Sequence, residues 1–425
     1  MLIEFRVENH RSLRDEQALT LEAANLGNDS DWRPRAVAGH DGRLLPAVVL
    51  YGANASGKSN VLSSLAFMRD AVLQSHRFWE PDTGVPRSPF GWGPKSHEPS
   101  TFEVSFLLED KKYLYGFVVG DTAIEEEWLY AWPHGRKQVW LQREGSSFIF
   151  GEHFGGQNEV IREVTRENAL FLSAASQHQH PILSSIYSWF RRIVPVNLQG
   201  RGFAPPSARG SYRGLPSSIR NLWHPVPTLF EHEWPGPASD LIRQLLLSAD
   251  TGIVDLKIEE EEETTTSKRV FRRERILLKH NADDDNSWLD YEEESQGTKT
   301  IIHMAIPLLR VLGEGGVLLI DELESSLHPL LGLKIVEMFN APATNPLNSQ
   351  IIFTTHDTNL LGTTLGKPAL RRDQIWFTEK DKEGASQLYP LTNFKPRNSE
   401  NLERGYLQGR YGAIPFLGNP SWTTE

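Results

Sequence analysis

Residues 46–62 read PAVVLYGANASGKSNVL. The first six form a short, nearly continuous apolar run, the pattern of a strand buried on both faces of a parallel sheet. The next eight, GANASGKS (52–59), fit G-x-x-x-x-G-K-[ST], and beyond them Val61, Leu62, Leu65, Met68 and Val72 recur at helical spacing. Strand, glycine-rich loop and helix in that order make a P-loop. Its glycines let backbone N–H groups turn inward around phosphates, Lys58 reaches the β/γ oxygens, and Ser59 offers a hydroxyl to Mg²⁺. The pattern therefore predicts ATP and Mg²⁺ as ligands, with Gly52, Asn54, Ala55, Ser56, Gly57, Lys58, Ser59 and Asn60 lining the nucleotide and Ser59 on the metal.

Working outward, a P-loop needs a carboxylate on the Mg²⁺ side at the end of a neighbouring buried strand. VLLI (317–320) followed by Asp321 and Glu322 supplies it. Asp321 would hold the metal through water, and Glu322, one residue past the strand, is placed to accept a proton from the attacking water. The strand QIIFTT (350–355) ends at His356, where a polar γ-phosphate sensor would sit.

Further out, LIEFRV (2–7) alternates like an edge-type strand, and FEVSFLL (102–108), YLYGFVV (113–119) and segments near 128–132, 139–143 and 147–150 read as an antiparallel meander. Residues 200–237 are crowded with Gly, Pro, Ser and Trp, too punctuated for a long helix. A helix at 239–248 capped by Ser239, a strand at 253–258 and charged strands to about 291 follow; the acidic run 259–263 reads as a solvated strand or turn. A helix over 299–312 kinked near Pro307, a helix over 330–339 begun by Pro329 and a last strand at 374–378 complete the chain. The expectation is an α/β P-loop NTPase head with an antiparallel β lobe, an inserted helical and irregular region, and no long coiled coil. Its parts are 1–160, with the P-loop and β lobe; 161–250, the insertion; and 251–425, the C-terminal ATPase part.

Composition narrows the field. With 425 residues, 39% hydrophobic and 23% charged, the chain is globular rather than fibrous or low-complexity. No apolar run approaches the ~20 residues that span a bilayer, and the acidic residues near the start do not suit a signal peptide, so no membrane partner and a cytoplasmic location are expected. The absence of Cys excludes disulfide scaffolds, thiolate zinc sites, iron–sulfur clusters and Cys nucleophiles. A net charge of −11 disfavours wrapping nucleic acid by bulk electrostatics but leaves room for a local basic groove. Arg191-Arg192 and Arg371-Arg372 are too short to decide that.

Together these pieces resemble the ABC-type ATPases, more narrowly the SMC, RecF and OLD-like branch, whose opening reads like LIEFRVENHRSLRD (2–15) and whose P-loop reads like YGANASGKSNVL (51–62). The tail ERGYLQGRYGAIP (403–415) looks like the ending of compact bacterial abortive-infection ATPases. The resemblance implies further roles. Ser295 and Gly297, in Glu294-Ser295-Gln296-Gly297-Thr298, match the Ser and second Gly of the signature motif that binds the γ-phosphate held by an opposite subunit. Ser325-Ser326-Leu327-His328 occupies the D-loop position, with His328 in place of the usual Asp. Gln177 is the Q-loop candidate, and Arg11 and Ser12 match a pair that lies near the nucleotide. OLD-type nucleases append a Toprim domain, for which the 69 residues after His356 leave no room. Asp283 and Asp285 follow no buried strand and read as a solvated turn, and His178-Gln179-His180 reads as loop surface.

The implied function is a Mg²⁺-dependent ATPase that does not itself cut nucleic acid. It would be a homo-oligomer, head-to-head or larger, acting as sensor in a PARIS-like two-component anti-phage system that controls a separate effector, a Toprim-like nuclease or toxin. Trp223 and Trp234 in the insertion are docking candidates. A RecF-like DNA-binding repair ATPase and a slow-turnover, nucleotide-locked scaffold stand as alternatives.

Overall fold

The computed structural model describes residues 1–27, 30–198, 252–264, 270–282, 284, 287–325, 327–363, 366, 368–397 and 400–415. Ser239, Trp223, Trp234, Asp283, Asp285, Ser326 and most of the expected insertion lie outside these residues.

In chain order the elements are β1 (Leu2–Glu8), β2 (Gln17–Thr20), β3 (Arg35–Ala36), β4 (Arg43–Leu44), β5 (Ala47–Gly52), α1 (Lys58–Phe78), β6 (Ser100–Leu108), β7 (Lys111–Val119), β8 (Ile124–Trp132), β9 (Gln138–Glu144) and β10 (Ser147–Phe150). Then come α2 (Asn158–Val164), α3 (Phe171–Gln177), α4 (Leu183–Arg191), β11 (Ile193–Val196), β12 (Ile253–Thr264), β13 (Val270–His280) and β14 (Trp288–Asp290). The last are α5 (Gln296–Glu314), β15 (Val317–Ile320), α6 (Pro329–Asn340), β16 (Gln350–Thr354), β17 (Ile375–Lys380), β18 (Ser386–Pro390) and α7 (Leu402–Leu407).

Two sheets carry the fold. One is antiparallel, in the order β10-β9-β8-β7-β6-β1-β2, which confirms the meander but moves β1 inward: it pairs with both β2 and β6, and β2 takes the outer place. The other runs β11-β15-β16-β5-β17-β18 and is parallel except for the β17–β18 pair. Along β5, Val48 and Leu50 enter a core shared with α1 and the antiparallel sheet, while Ala47, Val49 and Tyr51 enter a second core under α5 and α6. That is why its sequence is apolar without alternation. The sheet's outermost parallel strand, β11, comes from within 161–250, so part of that stretch belongs to the ATPase sheet itself. Residues 259–263 lie in strand β12, and α5 carries Pro307 inside it without ending there.

One side chain stitches the two sheets together. Buried Gln350, at the start of β16, accepts from the Leu2 N–H (2.6 Å) and donates to the carbonyls of Leu2 (2.9 Å) and Leu45 (3.1 Å). Within the antiparallel lobe, buried Glu127 on β8 accepts from Tyr115 Oη (2.9 Å) and from the N–H groups of Phe171 (2.7 Å) and Leu172 (3.0 Å), with Arg143 at 3.7 Å. A charged residue on a strand thereby satisfies the first turn of α3.

The loop between β1 and β2 rests on α1 through His10, buried against the paired rings of Phe67 and Phe102 and 3.3 Å from Ser63 Oγ. Burial, helped by the neighbouring charge of Arg11, lowers its pKa to about 3. Because this folded value lies below the ordinary 6.5, the stability from neutral His10 is fully present above pH 6.5 and is lost as pH falls toward 3. His10→Phe should flatten part of the acid limb of an unfolding-versus-pH profile. His180, lowered to about 4 by burial, keeps its share of the slope.

Candidate functional site

The C-terminal end of β5 delivers the chain into the loop 53–57, where the backbone turns through left-handed conformations at Ala55 (φ 61°) and Gly57 (φ 110°). A Cβ at Gly57 would run into the Ser386 hydroxyl and come within 2.9 Å of Ser12 Oγ, so only glycine leaves the cradle open. Lys58 is buried, its Nζ donating to the carbonyls of Gly52 (2.8 Å) and Ala53 (3.1 Å). Desolvation lowers its pKa, while Asp321, Glu324 and Glu322 pull it back up. Asn54, Ala55 and Ser59 are exposed along the loop, whereas buried Ser56 shares its hydroxyl with Thr378 (2.6 Å) and forms the loop's wall.

On one side of the loop, the ends of β15 and β16 are zipped into a single turn. Asp321 Oδ1 accepts from Ser59 Oγ (2.9 Å) and from Thr354 Oγ1 (2.7 Å), and Thr354 Oγ1 in turn accepts from the Glu322 N–H (2.7 Å). The Leu323 N–H reaches the Thr354 carbonyl (3.0 Å), and the His356 N–H donates to Glu324 Oε1 (2.6 Å). These bonds hold Glu322 in a left-handed conformation (φ 54°) with its side chain exposed. His356 is also exposed. Partial desolvation of its ring and the charge of Lys58 lower its pKa against the pull of Glu324, Glu322 and Asp321.

The structure thus brings Lys58, Ser59, Asp321, Glu322 and His356 to one place. It also adds Glu324, whose Oε2 is buried with no hydrogen-bond partner. The sequence offered a faint signal for it, an acidic residue two past Glu322. The Ser59 and Asp321 oxygens, hard donors 2.9 Å apart beside a glycine cradle, fit a Mg²⁺ ion that keeps much of its water. Among the described residues, no group of three His, Asp or Glu side chains is placed to hold a metal ion by itself.

On the other side of the loop, Ser12 Oγ accepts from Asn60 Nδ2 (2.6 Å) and from Ser386 Oγ (2.7 Å), while Ser386 Oγ also lies 2.6 Å from the Ser56 carbonyl. Ser12 is therefore at the site, and Ser386 is a member that no pattern marked. Arg11 has a left-handed backbone (φ 53°) anchored by its N–H to the Ser88 carbonyl. Its side chain makes no ion pair among the described residues.

Two expectations change. Gln177 ends α3, next to His178, whose ring lies 6.4 Å from that of His76 near the far end of α1. Lys58 begins that helix about 27 Å away by its rise per residue, so Gln177 is not part of the site. His180 is buried, accepting from the Ile182 and Leu183 N–H groups and meeting Asn158, while His178 and Gln179 remain at the surface. His328 accepts from the Leu330 N–H (3.3 Å) and so caps α6, a local task that an Asp would also perform.

Ser295 caps α5 by accepting from the Thr298 N–H (3.1 Å), with Gly297 in the first turn. The helix returns directly into β15 and, at about 28 Å, is more than twice the ~13 Å of that strand. Its N-terminus therefore projects past the sheet end that carries Asp321.

No helix among the described residues is long and apolar enough to cross a membrane. No curated protein matches the chain in sequence. Solved structures similar to it include the SMC head domain from Thermotoga maritima, 12% identical, with 92% of this chain and 98% of that one covered at a TM-score of 0.39. An SMC head bound to the C-terminal winged-helix domain of ScpA is 12% identical, with coverage of 91% and 96% and a TM-score of 0.42. The SMC head with an extended coiled coil bound to the C-terminal domain of ScpA, from Pyrococcus furiosus, is 12% identical, with coverage of 96% and 98% and a TM-score of 0.39. The family described as AAA domain, putative AbiEii toxin, type IV toxin–antitoxin system matches residues 47–362, from the P-loop strand to just past His356. Since that match takes in well over half of the sequence and every strand around the loop except β18 and β17, the chain belongs to this AAA ATPase family.

Proposed function

We propose that the chain binds ATP with Mg²⁺, hydrolyses it between paired subunits, and acts as the sensor of a bacterial anti-phage pair whose effector is a separate protein. The observation that carries the ATPase reading is the zipped turn that holds Glu322 beside Asp321, Ser59 and Lys58. Bound Mg²⁺ would screen the charge on the β- and γ-phosphate oxygens. Lys58 leaves the Gly52 and Ala53 carbonyls for those oxygens. Glu322 takes a proton from water as the water oxygen bonds to the γ-phosphorus and the bond to the β-phosphate oxygen breaks, releasing ADP and phosphate. His356, exposed at the end of β16, offers a ring N–H to the γ-phosphate.

What supports a paired site is the projection of Ser295 and Gly297 beyond their own sheet, a helix N-terminus suited to a phosphate on a second subunit. Ser295→Arg should impair hydrolysis and spare binding. Mixing Ser295→Arg with Lys58→Ala protein should restore turnover by creating one intact composite site per mixed pair, and its failure at every ratio would sink the shared-site reading.

The toxin–antitoxin description of the family supports a two-component system, and it also favours a second reading in which this chain is the toxic member. Expression alone distinguishes them. A sensor leaves growth unaffected and plasmid DNA and RNA intact with Mg²⁺ and ATP. A toxin arrests growth, and Glu322→Gln relieves the arrest.

A further inference from the structure

We infer that Trp92, on the loop between α1 and β6, is the platform on which the nucleobase of the bound nucleotide stacks. The inference rests on the ATP-binding reading above and extends it to the part of the ligand that the P-loop does not touch.

The sheet order gives the site a direction. From β5, the strands β16 and β15 lie to one side and bring Asp321, Glu322 and His356, the metal and γ-phosphate end. To the other side lie β17 and β18. A triphosphate lying along the loop therefore runs from Asp321 toward Asn60, Ser12 and Ser386, and its ribose and base emerge on the β17–β18 side. Ser386 abuts Gly57, and Gly384 is two residue steps from Ser386, at most about 7 Å.

Trp92 stands against that hairpin. Its Nε1 donates to the Glu383 carbonyl (3.0 Å), and its Cζ2 would be 2.7 Å from a Cβ at Gly384. Trp92 is 57% exposed, yet its ring is tied by its N–H and backed by Phe90, with centroids 4.5 Å apart. Phe90 is buried and held in turn, its N–H donating to Asn9 Oδ1 (2.9 Å). An indole fixed at its polar edge, on a residue more than half exposed, loses little rotamer freedom when a flat ring covers it. Stacking of this kind accepts any base with a broad π-face, so it predicts preference for purine nucleotides rather than strict reading of adenine.

The test compares ATP with inorganic tripolyphosphate, which carries the phosphates without the base. Trp92→Ala should weaken ATP binding by about 5- to 150-fold while tripolyphosphate binds as before, and Trp92→Phe should retain most of the ATP affinity. Equal losses for both ligands would mean that Trp92 only braces the loop, and undiminished ATP binding by Trp92→Ala would mean that the base lies elsewhere; either overturns the proposal. Lys58→Ala tests the underlying reading separately, because it should weaken both ligands. If it weakened neither, the P-loop assignment itself would fail.

Discussion

Glu322→Gln is expected to stop ATP turnover and leave ATP bound. The change keeps the size of the side chain and the backbone N–H that donates to Thr354 Oγ1, so the turn that joins β15 to β16 stays closed. What it removes is the basic oxygen that takes the proton from water, a contribution of roughly 10²- to 10⁴-fold in rate. Lys58→Ala acts at the earlier step. Without the ammonium on the β/γ oxygens, binding itself weakens, and the two variants should separate cleanly when nucleotide affinity and single-turnover rate are measured side by side. Held in the ATP state, the Glu322→Gln protein should also associate more strongly with itself in the presence of ATP, a shift readable by analytical ultracentrifugation. Turnover by Glu322→Gln at the parent rate would remove Glu322 from the mechanism.

The second large effect concerns stability. Glu127→Ala takes the acceptor from the hydroxyl of Tyr115 and the amides of Phe171 and Leu172, and it leaves the Arg143 guanidinium buried without its carboxylate. Removing one partner of such a buried pair costs about 3–5 kcal/mol. The loss should appear as a lower urea midpoint, and the double change Glu127→Gln with Arg143→Met should recover part of it, because no unpaired charge then remains inside. Nucleotide affinity, measured well below the midpoint, should stay the same, since Glu127 lies in the β lobe on the α3 side.

How much of this was legible in the sequence follows from the physics of each element. β5, β15 and β16 are buried on both faces, so their runs of Val, Leu and Ile announce themselves, and the residues at their ends are found by counting one or two positions further. β11 went unrecognised because IVPV is only four residues long, contains Pro195 and follows Arg191-Arg192. β18 is an edge strand whose polar residues carry no apolar signature. Ser386 and Thr378 line the P-loop only through contacts across more than 300 residues of chain, which no local pattern records. Gln177 was misplaced for a related reason: its helix packs beside α1, but nothing in the sequence tells which end of α1 it meets.

The strand order around β5 also sets a timetable for synthesis. Its two neighbours, β16 and β17, begin at residues 350 and 375, roughly 300 residues after Gly52 leaves the ribosome's catalytic centre. At about 5–20 residues per second, the central strand waits some 15–60 s with both edges unpaired. During that interval an apolar, edge-exposed segment is what a nascent-chain chaperone would hold. The wall of the phosphate loop cannot close until Thr378 and Ser386 arrive, so the loop takes its shape only after residue 386 has been made.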